Sequence, residues 1–96
     1  MRLSENEIAV IRKTILRRFP DAGIRLFGSR ADDRKKGGDI DLLIQTGEKV
    51  TLRDELELLA QMERNGIARK VDLVIDTPFR KTTPFVREAF EDGVSL

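Results

Sequence analysis

The sequence predicts an α+β domain, a small mixed β-sheet flanked by helices. Helical and strand-like hydrophobic periods alternate along it in the order helix, strand, strand, helix, strand, helix. Its 96 residues suit one domain with one core, and a single domain over positions 1–96 is expected. Hydrophobic residues at 40% and charged residues at 36% give the balance of a charge-rich globular protein, not of a disordered one.

Each element has its own local reason. Ser4 followed by Glu7 has the form of a capping box, in which each side chain meets a first-turn amide. Ile8, Ile11, Ile15, Leu16 and Phe19 recur at helical spacing, so a helix is read over about Glu5 to Phe19. Pro20-Asp21-Ala22-Gly23 ends it. Ile24 to Phe27 reads as a short strand, closed by Gly28-Ser29, and the polar run Arg30 to Gly38 reads as a loop. Asp39 to Gln45 is a second strand, with Ile40, Leu42 and Ile44 on one face and Asp39, Asp41 and Leu43 on the other. Thr51 with Asp54 resembles a second cap. Leu52, Leu56, Leu59 and Met62 predict the apolar stripe of a helix ending near Asn65-Gly66. Lys70 to Ile75 is a third strand, with Val71, Leu73 and Ile75 on one face and Asp72 and Val74 on the other. Thr83-Pro84 is an N-cap and N1 pair, and a last helix runs from it to about Asp92, where Gly93 stops it.

Absent residue types exclude most chemistries. Cys is 0 and His is 0, so no disulfide, thiolate zinc site, cysteine nucleophile, Ser-His-Asp triad or imidazole base is available. Acid–base and metal chemistry must run on carboxylates, whose oxygens suit hard cations such as Mg²⁺. Lys plus Arg is 18 and Asp plus Glu is 17, a formal net charge of +1, so direct nucleic-acid binding through a broad basic field is not expected. No apolar run approaches the ~18 residues of a membrane span, and the first residues carry no apolar signal region. The expected compartment is the cytoplasm, with which the lack of Cys is compatible.

Acids inside apolar strands are the anomaly. Asp39 and Asp41 share a strand face with Cα atoms about 7 Å apart, and Asp72 sits among Val, Leu and Ile on the next strand. Carboxylates converging there repel one another unless a cation neutralises them. A divalent metal does so and can hold a nucleoside triphosphate at the same place. Upstream, Gly28 lets a phosphate approach the backbone and Ser29 offers a hydroxyl and an amide. Taken singly, Asp-Ile-Asp reads as strand polarity and Gly-Ser as a turn. Their order, together with Asp72, favours a triphosphate-plus-Mg²⁺ site.

These residues resemble a known family. Leu26-Phe27-Gly28-Ser29-Arg30-Ala31, nine residues from Arg30 to Gly38, and then Asp39-Ile40-Asp41-Leu42-Leu43-Ile44 look like the signature of minimal nucleotidyltransferases. These belong to the DNA polymerase beta-like nucleotidyltransferase superfamily. Val71-Asp72-Leu73-Val74 is similar to the family's third-carboxylate strand. Gly38 stands where members often have Ser, and Asp32-Asp33-Arg34-Lys35-Lys36 fills the loop.

The resemblance implies that Asp39, Asp41 and Asp72 are catalytic and ligate two Mg²⁺ ions, with Mn²⁺ as an alternative. Asp72 would also help deprotonate the attacking hydroxyl. It implies that Gly28 and Ser29 hold the phosphates of ATP and that Arg30 adds a contact. Small proteins of this kind resemble the antitoxin of toxin–antitoxin pairs, which adenylylates a tyrosine on a helical HEPN-class toxin. A chain of this length is expected to take its acceptor from that partner. The rivals are a module that covers a toxin without catalysis and a sensor that binds ATP and Mg²⁺ without transfer. Arg34-Lys35-Lys36 and Arg80-Lys81 read as solvated charge, and Phe79, Phe85 and Phe90 as core packing for the last helix.

Overall fold

The computed structural model describes residues 3–27, 39–80, 86, 91 and 93–96. The first helix, α1, spans Glu5–Arg18. Its capping box forms: the Glu7 amide donates to Ser4 Oγ at 3.0 Å and the Ser4 amide to Glu7 Oε1 at 2.9 Å. Glu5 and Glu7 in its first turn and Arg17 and Arg18 in its last oppose the helix dipole favourably. Fully buried Phe19 caps the other end, its amide donating to the Ile15 carbonyl at 2.8 Å.

Strand β1 is Gly23–Phe27, β2 is Ile40–Gln45, helix α2 is Leu52–Arg64, β3 is Val71–Asp76 and β4 is Val94–Ser95. They form a mixed four-stranded sheet in the order β3-β2-β1-β4. β1 runs antiparallel to β2 and to β4, whereas β2 and β3 are parallel because α2 carries the chain back between them. The central strand β2 buries Ile40, Leu42, Leu43 and Ile44 completely. Ile40, Leu42 and Ile44 join Ile11, Ile15 and Phe19 of the α1 segment and Leu58 and Met62 of α2 in the main core. Leu43 lies on the other face with Val86, Phe27 and Val74.

The α2 cap also forms, with the Asp54 amide donating to Thr51 Oγ1 at 3.1 Å and the Thr51 amide to Asp54 Oδ2 at 3.0 Å. That contact with the Thr51 backbone, foremost, lowers the Asp54 carboxyl below its ordinary range. At the far end Gly66 takes φ 108°. Its amide donates to the Glu63 carbonyl at 3.2 Å and the Ile67 amide to the Met62 carbonyl at 3.0 Å. This is the Schellman ending, and Ile67 and Met62 are both buried in the main core, in keeping with the apolar pairing that often accompanies the motif.

Two sequence expectations are corrected. The inward stripe of α2 is Leu58 and Met62, while Leu52 and Leu56 are 69% and 57% exposed. At 3.6 residues per turn Leu56 lies about 160° round the helix from Leu58. Phe79 is 64% exposed and not core. It sits in the turn after β3, where the Arg80 amide donates to the Thr77 carbonyl at 3.1 Å. The sequence does not predict β4 beyond Gly93, because two residues are too few to show a strand period. Its place is fixed by β1, and the Leu96 amide donates to the Ile24 carbonyl at 2.9 Å. Val86 and Glu91 are helical, as expected of the last helix. Thr83, Pro84, Phe85 and Phe90 lie outside the described residues.

The α2 correction is directly testable. Met62→Ala should cost about 2–5 kcal/mol of stability, as for other buried large-to-small changes. Leu56→Ala should stay within about 0.5 kcal/mol of wild type. Urea unfolding of both variants measures the difference, and equal losses would restore Leu56 to the core.

Candidate active site

The site grows from one register. In the parallel ladder Asp41 of β2 is paired with Asp72 of β3. In the antiparallel ladder the same Asp41 is paired with Phe27, the last residue of β1. Side chains alternate along a strand, so Asp41 and Asp72 emerge on the face of Leu43 and Val74, away from α1 and α2. Asp39 is exposed and directly precedes β2, two residues before Asp41. The acids therefore stand at the start of two adjacent strands, and β1 ends beside them.

Electrostatics single out Asp41. Its carboxyl is raised above the ordinary 3.8, first by loss of water, then by the negative charges of Asp72 and Asp39 and a hydrogen bond with Asp72. The Lys70 ammonium works in the opposite direction. Its Nζ lies 3.8 Å from Asp72 Oδ1. A half-buried carboxyl pressed by two like charges is relieved either by a proton or by a cation.

The donor set is all carboxylate, which fits a hard divalent ion. Among the described residues, however, no three acidic side chains are drawn together as a ready-made cation cage. What stands formed is the opposed pair Asp41–Asp72, with Asp39 beside it.

Gly28, Ser29 and Arg30 lie outside the described residues, as does Arg34-Lys35-Lys36. Their chain neighbour Phe27 is the residue paired with Asp41. Arg80, read as solvated, is instead held: its Nη2 donates to the Val50 carbonyl at 2.8 Å and to Glu55 Oε2 at 3.0 Å. It belongs to the opposite end of the sheet. A cleft of about 600 Å³ opens there, lined by Asp21, Gln45, Thr46, Asp76, Thr77 and Arg80 among others. That cleft is remote from the acid pair and its polar groups are already engaged. Thr46 Oγ1 donates to Asp21 Oδ1 at 2.7 Å, the Gly47 amide donates to Asp21 Oδ2 at 2.9 Å, and Gln45 Nε2 donates to Asp76 at 3.0 Å. The acids, not this cleft, are therefore the candidate site. The sequence pattern marks Lys70 only as a strand residue. Its spacing of two from Asp72, which puts both on one strand face, was the available signal.

Comparison with known proteins identifies the family of the domain. The model of the nucleotidyltransferase domain matches residues 8–96. The chain belongs to the nucleotidyltransferase domain family. Two crystal structures of mutants of a toxin–antitoxin MntA–HpeT share this nucleotidyltransferase's fold. One, with a tyrosine-to-alanine change, has TM-score 0.68 and 24% identity and covers 98% of this chain and 71% of its own. The other, with two aspartate-to-glutamate changes, has TM-score 0.70 and 21% identity and covers 97% of this chain and 71% of its own. At these identities the likeness is one of fold. No curated protein is significantly similar in sequence. Among the described residues no helix is long and apolar enough to cross a membrane.

A raised carboxyl has a definite consequence for stability. The folded state of this nucleotidyltransferase holds the Asp41 proton more tightly than the unfolded chain does. Stability from this group therefore falls as pH rises from the ordinary carboxylate value through the raised one. Without metal, Asp41→Asn should melt higher than wild type at pH 7. That advantage should vanish below about pH 3, where both carboxyl states are protonated. Melting curves in EDTA across pH check this. An Asn variant less stable at pH 7 would make Asp41 a needed hydrogen-bond acceptor.

Proposed function

We propose that this nucleotidyltransferase transfers AMP from ATP to a tyrosine hydroxyl of a helical HEPN-class toxin in the cytoplasm, and so acts as an antitoxin. The observation that carries the reading is the Asp41–Asp72 pair, two like charges held in register on adjacent strands with Asp39 alongside. A fold has no use for such repulsion unless something positive is to be held there. The fold neighbours are parts of a toxin–antitoxin pair. One of them carries its two aspartate-to-glutamate changes two residues apart, the spacing of Asp39 and Asp41 here. This sequence contains no Tyr, so a tyrosine acceptor must come from another chain.

The roles divide by position. Asp39, Asp41 and Asp72 hold Mg²⁺ (or Mn²⁺), two ions in the full site, which supply charge neutralisation for the triphosphate. Gly28 and Ser29 hold the phosphates through backbone amides and a hydroxyl, with Arg30 as a further cationic contact. Asp72 accepts the proton of the acceptor hydroxyl. The acceptor oxygen then bonds to the α-phosphorus, the bond to the β-phosphate oxygen breaks, and pyrophosphate leaves. Orientation and charge neutralisation carry most of the acceleration, because phosphoryl transfer needs little covalent help from the protein.

The test is single-turnover AMP transfer to the co-expressed partner, beside equilibrium binding of ATP with Mg²⁺. Asp72→Asn should bind nucleotide within about tenfold of wild type, ~1.4 kcal/mol or less. Its transfer should fall on the order of 10²-fold or more, the usual scale for a missing base. Ser29→Ala should weaken binding and turnover together, because its contacts are to phosphates present before reaction. Mass spectrometry should find added AMP on the partner and none on this chain. Binding without transfer would make the protein a sensor. Toxin neutralisation without nucleotide would make it a cover.

A further inference from the structure

Lys70 is placed at the acids by the backbone. Its carbonyl accepts the Ile40 amide at 2.8 Å, so the start of the parallel ladder fixes it one residue before β3. The strand period puts its side chain on the face of Asp72, and Nζ reaches within 3.8 Å of Asp72 Oδ1. The preceding cation, Arg69, is engaged elsewhere, with Nε 3.5 Å from Glu7 Oε2. Among the described residues, Lys70 thus brings a positive charge to the acid pair from the start of β3. Its side chain is 72% exposed on a flexible stem, so it can swing away at little cost.

We propose that Lys70 is the resident counter-charge of the Asp41–Asp72 pair, yielding to an incoming divalent cation and weakening the hold of the free site on that ion. The inference rests on the metal-binding part of the proposed function. The physical reason is simple. A cation among these carboxylates meets the like charge of Lys70 a few ångströms away. The phosphates of a nucleotide cancel that like charge when they arrive. Lys70 therefore biases the protein to take its metal together with ATP instead of ahead of it.

The experiment is Mn²⁺ binding by calorimetry, with and without a non-hydrolysable ATP analogue, to wild type, Lys70→Gln and Lys70→Arg. Lys70→Gln should bind Mn²⁺ alone about three- to tenfold more tightly, the size of a screened charge–charge effect near a surface. The gain in Mn²⁺ affinity on adding the analogue should shrink by the same factor, because the phosphates already cancel the Lys70 charge once nucleotide is bound. Lys70→Arg keeps the charge and should behave as wild type.

A metal-free readout stands beside it. Lys70→Gln should lower Tm by about 1–4 °C in EDTA. That loss should disappear in the Asp72→Asn background, as a lost pairing requires. Wild type that binds Mn²⁺ with an affinity unchanged in Lys70→Gln overturns the inference and leaves the metal reading standing. Wild type that binds no Mn²⁺, with or without the analogue, overturns both.

Discussion

The parallel pairing of β2 with β3 is the constraint on which the rest depends. It sets Asp41 opposite Asp72 on one side of a sheet whose other side is the core. Like charges in register work against folding, and burial of Asp41 adds to the cost. The main core offsets it. Ile40, Leu42 and Ile44 of the same strand are fully buried against α1 and α2, so β2 is held by the face that carries no acids. One strand thus serves stability on one side and charge concentration on the other.

The end of the sheet away from the acids is stitched by ordinary polar contacts. Asp21 accepts from Thr46 and Gly47, and those contacts hold its carboxyl below the ordinary range. Thr77 Oγ1 donates to the Glu48 carbonyl at 2.7 Å, and Arg80 ties the turn after β3 to Val50 and Glu55 of the α2 segment. These bonds join the turn before β1 to the loops after β2 and β3. They fix the strands that carry the acids from the opposite end. The contrast between the ends is chemical. One end pairs its carboxylates with donors, whereas the other sets carboxylates against each other, with Lys70 beside them among the described residues.

Local signals in the sequence determined the element order as far as β3, both capping boxes, the glycine ending of α2 and the face assignments of β2 and β3. Each depends on residues within a few positions of one another, so spacing alone carries it. The acids could be picked out for the same reason. Asp39, Asp41 and Asp72 stand out because their neighbours in the chain are apolar.

Tertiary structure decided what depends on distant partners. Which side of α2 faces inward was set by where α1 and β2 lie, so Leu58 was buried and Leu56 left outside although both are leucines. β4 exists because β1 offers an open edge, a fact that Val94-Ser95 cannot state in two residues. Arg80 found Val50 and Glu55 across 30 and 25 positions of chain, so no local pattern marked it as held. The pairing of Asp41 with Asp72 is of the same kind. The sequence determined that both acids lie in strands. Only the parallel register, imposed by the α2 crossover, decided that they meet.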